Sequence, residues 1–198
     1  MDVWILVLIL VLVGIVVFFI IGYNNIVRKE QRVRQAQSEI ERELNRVAEL
    51  LPNLVNTVKG AGLLEQRVYA QISEAYGKYV NAIRSGGDLS ERISASSSFF
   101  GAIMPIILQL PQYPQLQSMQ QFKALFDEIR VSIDKVAYAR QFLNDAVNDY
   151  NTFILSFPWV IVARLLGKKE LPYFKYERAE ETRRSLEAGD FTKSLTQW

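Results

Sequence analysis

The chain contains neither cysteine nor histidine. Those two absences remove the thiol nucleophile, the imidazole general base, the disulfide and every zinc site built from Cys or His ligands. Any catalysis would have to rest on carboxylate, serine, lysine or tyrosine. An excess of one charge is missing too: 23 Lys and Arg face 21 Asp and Glu, for a formal net charge of +2. No basic block interleaves with aromatics, so nucleic acid is not an expected partner. Glycine and proline are few, 10 and 6 in 198 residues, which leaves few places where a helix must stop.

Apolar side chains are what the sequence has in quantity. The run from Val3 to Ile21, VWILVLILVLVGIVVFFII, has no charge and is interrupted only by Gly14. At about 1.5 Å per residue it reaches about 28 Å, the thickness of a bilayer's hydrocarbon core. A cleaved signal peptide would have a basic start, a shorter apolar region and a small-residue cleavage site. Here Met1 and Asp2 precede the run and bulky Phe18 to Ile21 end it, so an uncleaved single-pass anchor is expected. Arg28, Lys29, Arg32 and Arg34 then stand against a single acid, Glu30. The positive-inside rule puts the body of the protein on the cytoplasmic side.

Beyond the anchor, apolar positions recur every seven residues at Ile26, Val33, Ile40, Val47, Leu54, Ala61 and Val68, joined by Leu44, Leu51 and Val58. That is a helical seam of coiled-coil type. Its early partner positions Glu30 and Gln37 are polar, so the first turns above the membrane are expected to be less buried. Pro52 is expected to kink this helix, and Lys59 to Gly62 to turn the chain. A second pattern runs from Leu63 to Ile83. Asp88, three residues before Glu91, resembles a capping box that opens a third helix to about Leu110. Pro111 to Pro114 end it, and a fourth pattern from near Ser118 continues to Ile154. The lengths pair as about 37, 22, 22 and 37 residues with short loops, which implies antiparallel neighbours. The expected fold is all-α: an N-terminal transmembrane helix followed by a long antiparallel up-and-down four-helix bundle.

After Pro158, WVIVARLLGKK is too short to span a bilayer and carries Trp159 at one end with Lys168 and Lys169 at the other. It suits a helix lying in the membrane interface, or one covering the end of the bundle. From Tyr173 the chain mixes aromatics with dense alternating charge, and this segment is expected to be mobile or ordered by a partner. The expected divisions are an anchor at 1–22, a bundle at 23–157, a short amphipathic interfacial or capping helix at 158–172, and a charged tail at 173–198.

Three ordered stretches, YNNIV (23–27), LLPNLVNTVKG (50–60) and ARQFLNDAVNDYNTFILSFP (139–158), resemble the LemA family of bacterial membrane proteins from the anchor to about Phe174. The resemblance implies an N-terminal membrane anchor and an up-and-down four-helix bundle. It carries no catalytic residues over to this chain. The sequence departs from the family's pattern at AGLLEQRVY after VKG, and at LQLPQYPQL, where more polar helix is usual.

The stretch from Ala139 to Pro158 is rich in poor helix formers, whose short polar side chains compete for backbone hydrogen bonds. Asp145 and Asp149 share a helical face but supply too few ligands for a divalent cation. A ferritin-like di-iron site needs histidines the chain lacks. Asn144, Asn148 and Asn151 form an i, i+4, i+7 column suited to a polar seam that fixes helix register, with Asp145, Asp149 and an ion-paired Arg140 beside it. Asn24, Asn25 and Asn53 are the expected partners. Three serines in Ala95 to Gly101 have no evident base, and close helix approach is their expected role.

These readings point to a non-enzymatic protein without a cofactor, whose partners are the lipid bilayer and further copies of itself through the bundle and the transmembrane helix. The apolar FFGAIMPIIL, Phe99 to Leu108, is expected to be a contact face. The alternative is a signalling or accessory subunit that docks on a membrane-protein partner through the tail.

Overall fold

The computed structural model describes residues 3–60, 66–109, 116 and 118–175. Every regular element among them is helical: α1 (Val3–Gly60), α2 (Gln66–Arg84), α3 (Leu89–Gln109), α4 (Gln120–Leu155) and α5 (Trp159–Leu165). The expected breaks at Ala61 and Gly62 and at Pro111 to Pro114, and the tail after Lys175, lie outside the described residues. At 19, 21 and 36 residues, α2, α3 and α4 match the lengths read from the sequence.

α1 is one helix of 58 residues, so the anchor and the first amphipathic helix are continuous. By length and composition it can cross a bilayer. Residues 3–17 are exposed throughout. The helix continues through Pro52, whose ring is exposed; its missing N–H and its clash with the preceding turn fall on α1 itself, and the helix is not ended by them.

Two compact units form: Met1–Glu39 with Tyr138–Tyr173, and Ile40–Ala137 with Phe174–Trp198. In the first, Ile26 and Val33 of α1, Leu143, Val147, Tyr150 and Ile154 of α4, and Val162 of α5 are buried. The expectation of loose first turns fails here. Gln37 is fully buried, and Glu30 is enclosed by two cations that offset the cost of burying its charge.

In the second unit the core comes from Ile40, Leu44, Val47 and Leu54 of α1, Ile72 and Tyr79 of α2, Ile93 to Ile103 of α3 and Phe122 to Val136 of α4. Each such side chain contributes on the order of 1.5–3 kcal/mol when removed from water. Phe99, Phe100, Ile103 and Ile107 belong to this core, so the larger described apolar side chains of FFGAIMPIIL are interior except half-buried Met104 and exposed Leu108, where the sequence suggested a contact face. Tyr79 stacks on Phe99 at 5.1 Å, and Phe174 meets Phe100 edge-on at 5.8 Å.

Local signals set the α2 to α3 turn. Gly86 takes φ +67°, and the amides of Gly86 and Gly87 reach back to the carbonyls of Ile83 and Ala82, a Schellman ending. Asp88 then accepts the Glu91 amide at 2.8 Å and caps α3 as its sequence predicts.

Candidate functional site

The expected polar seam lies in the first unit apart from Asn53, and its partners differ from those the sequence suggested. Asn151 is buried and clasps one residue's backbone: its Nδ2 donates to the Leu171 carbonyl and its Oδ1 accepts the Leu171 amide, both at 2.9 Å. Asn148 is exposed and accepts the Tyr173 hydroxyl at 3.2 Å. Asn148 and Asn151 therefore hold the segment of chain that comes after α5. Asn25 spends its amide on the Ile21 carbonyl of its own helix, Asn24 is exposed, and exposed Asn53 lies in the second unit. Asn144 and Arg140 are half-buried, and Arg140 has no acid partner among the described residues. Asp145 is exposed, while Asp149 faces Lys29 across 3.9 Å.

The short helix α5 sits on this foot. Trp159 lies between two rings, stacked on Phe18 and on Phe153 with centroids 5.3 Å away in each case. Gly22 makes the approach possible, because a Cβ there would stand 3.0 Å from Val162 and 3.2 Å from Trp159. Gly167, with φ +64°, ends α5 in a second Schellman turn through the Arg164 and Ala163 carbonyls. That turn delivers Lys168 to Glu30, which also takes Arg34 at 2.6 Å. Burial alone would raise the Glu30 carboxyl, but hydrogen bonds and charge from Lys168 and Arg34 outweigh it and hold the pKa below the usual value. Lys168 is thus committed to protein, and Lys169 is exposed.

A second polar cluster, in the other unit, has no counterpart among the residues singled out from the sequence. Buried Glu41 of α1 receives both arms of the Arg92 guanidinium from α3, the Nε arm at 2.9 Å. The Tyr79 hydroxyl from α2 lies 2.8 Å from Asn45 Oδ1 and 3.1 Å from the Glu41 carbonyl. Three helices meet at one residue, Glu41: α3 at its carboxylate and α2 at its backbone carbonyl. A signal did exist, since Glu41 flanks the apolar seam at the type of position from which coiled-coil charges reach across helices.

Burial, with help from the Glu41 charge, pushes the Tyr79 phenol well above its ordinary value. Burial and the Glu30 charge push Tyr150 up to about 12. For a raised pKa the folded state holds its proton more tightly than the unfolded chain. The stabilisation is complete below the unfolded value near 10 and is lost as pH rises through the folded one. Urea midpoints followed by circular dichroism should stay level up to about pH 9 and fall above about pH 10. Tyr79→Phe should cost about 1 kcal/mol at neutral pH and flatten that alkaline fall.

Neither unit assembles a nucleophile with a base among the described residues. What the geometry defines is a membrane-associated helical protein: one exposed apolar helix end, and polar groups spent on joining helices. A family model described as the LemA family matches residues 36–187, and the chain belongs to the LemA family. The match begins inside α1, so YNNIV lies outside it. Two relatives in Paramagnetospirillum magneticum, Magnetosome protein MamQ 1 and MamQ 2, are each 24% identical over 196 aligned residues, covering 88% of this chain and 72% of theirs. Magnetosome protein MamQ of Magnetospirillum gryphiswaldense is 23% identical with the same coverage.

Proposed function

We propose that this protein is a non-enzymatic, single-pass organiser of the bacterial inner membrane, which self-associates and thereby shapes or partitions the bilayer. The observation that carries the reading is the continuity of α1, which passes without a break from exposed apolar surface at residues 3–17 to the buried seam at Ile26 and Val33. A hinge at that point would decouple body from membrane, and none is built. The helices form a long antiparallel four-helix bundle on the cytoplasmic side. Supporting this, Glu43 pairs with Lys135 and Arg46 with Glu128, so partners descend along α4 as they climb α1. Arg28, Lys29, Arg32 and Arg34 supply the orientation signal.

Electron microscopy and sedimentation of the detergent-extracted protein, with and without lipid, test the proposal. Closed rings or open arrays are expected. A strict monomer at high concentration in both conditions would end it.

The competing reading, an accessory subunit docked through the tail, is separated by deletion. Phe174 is a core residue and the Ser97 hydroxyl donates to the Lys175 carbonyl, so the cut belongs after Lys175. Assembly that survives the loss of 176–198, with loss of a co-purifying protein, would favour the accessory role.

A further inference from the structure

We infer that the turn from α4 into α5, with the outer face of α5, is a second membrane element: a wedge of Leu155, Phe157, Ile161, Leu165 and Leu166 buried in the acyl boundary of the leaflet that α1 enters from the body. The inference rests on the reading of α1 as a transmembrane anchor.

Three observations lead to it. Trp159 stacks on Phe18, which lies inside the apolar run and not above it, and Val162 packs at Gly22, one residue past the end of that run. The lipid that covers the last turns of the run therefore surrounds α5 as well. The inner face of α5 is already used, with Val162 and Ala163 buried against protein. Its outer face is large and apolar: Phe157 is 83% exposed and Leu165 70% exposed, with Leu155, Ile161 and Leu166 beside them. Water at five such side chains would be costly, whereas an interfacial helix sinks its apolar face about 5–10 Å into the boundary between headgroups and acyl chains. The polar ends fit that depth. Exposed Arg164 and Lys169 lie on and just after α5, where anionic headgroups would meet them.

Lipid is the occupant this position selects, in preference to a second copy or another protein, because the patch is continuous with the surface that the anchor presents to the bilayer. The wedge enters one leaflet while α1 crosses both. It thus adds cross-section to one side of the membrane only, a physical source for the shaping proposed above.

The absence of cysteine makes single-site labelling direct. Phe157→Cys, Val11→Cys and Gln141→Cys would each carry an environment-sensitive fluorophore in full-length protein reconstituted into vesicles of phosphatidylethanolamine and phosphatidylglycerol. Val11 reports on the anchor, and exposed Gln141 on α4 is the aqueous reference. The expected result is a blue-shifted Phe157 label, quenched by shallow nitroxide lipids and shielded from iodide, beside a lipid-quenched Val11 label and an iodide-quenched Gln141 label. A Phe157 label that iodide reaches, with Val11 still in lipid, would overturn the wedge and leave the anchor intact. Shielding of Phe157 from both quenchers would overturn it in favour of a protein cover. A Val11 label open to iodide would remove the anchor itself.

Discussion

Arg92→Ala should destabilise the protein by about 3 kcal/mol in urea unfolding, the largest single loss expected from any exposed or half-buried charge among the described residues. The reason lies in Glu41. Its side chain is only 9% exposed and Arg92, at 27%, is an ion-pair partner, so removing the guanidinium takes the opposing charge from a carboxylate with little access to water. Hydrogen bonding to Glu41 also raises the Arg92 pKa, as a well-formed pair requires. The contrast is Arg46 with Glu128, an ion pair at 2.8 Å whose side chains are 49% and 43% exposed. Arg46→Ala should cost under about 1 kcal/mol. Removing both partners of the buried pair at once, Glu41→Met with Arg92→Leu, should restore most of the stability, since no unpaired charge is left. If Arg92→Ala cost less than Arg46→Ala, water would have to reach Glu41 and the three-helix junction would be looser than its geometry.

The second large effect belongs to Asn151. Its alanine variant loses two backbone hydrogen bonds and leaves the Leu171 amide and carbonyl to find others, a cost of about 2 kcal/mol. Asn148→Ala removes one contact to an exposed tyrosine and should cost about 0.5 kcal/mol. Native-state hydrogen exchange separates them: the Leu171 amide should lose its protection in Asn151→Ala and keep it in Asn148→Ala. Equal effects from the two substitutions would mean that the column acts as a unit, as a register lock would.

Much of the architecture was legible because its signals are local. Helix lengths come from a period of 3.6 residues and from glycine or proline at the ends, and Asp88 and Gly86 act within a few residues of where they stand. Partner choice was less legible, because it is settled across long stretches of chain. Asn151 shares a column with Asn144 and Asn148, but nothing in that spacing says that its bonds run to Leu171 and not to Asn24 or Asn25. Glu41 and Arg92 lie in separate helices, and only the fold brings them within bonding distance. The apolar Phe99 to Leu108 misled for the opposite reason. A strongly apolar run reads equally well as a sticky surface or as a core, and burial of Phe99, Phe100 and Ile103 decided for the core.

Gly22 and Glu30 are two of the points at which α1 is clasped by the chain beyond α4, one by α5 and the other by Lys168. Between them α1 rises about 12 Å and turns through a little more than two full windings. Two clasps on one rod act as a vernier, fixing rotation and height together. A single residue added between them would swing one clasp through about 100° relative to the other, and a whole heptad would restore the angle but lift Glu30 about 10 Å out of reach. The span from Gly22 to Glu30 is therefore closed to insertions of any length, and the height at which α5 and Lys168 engage α1 is gauged there.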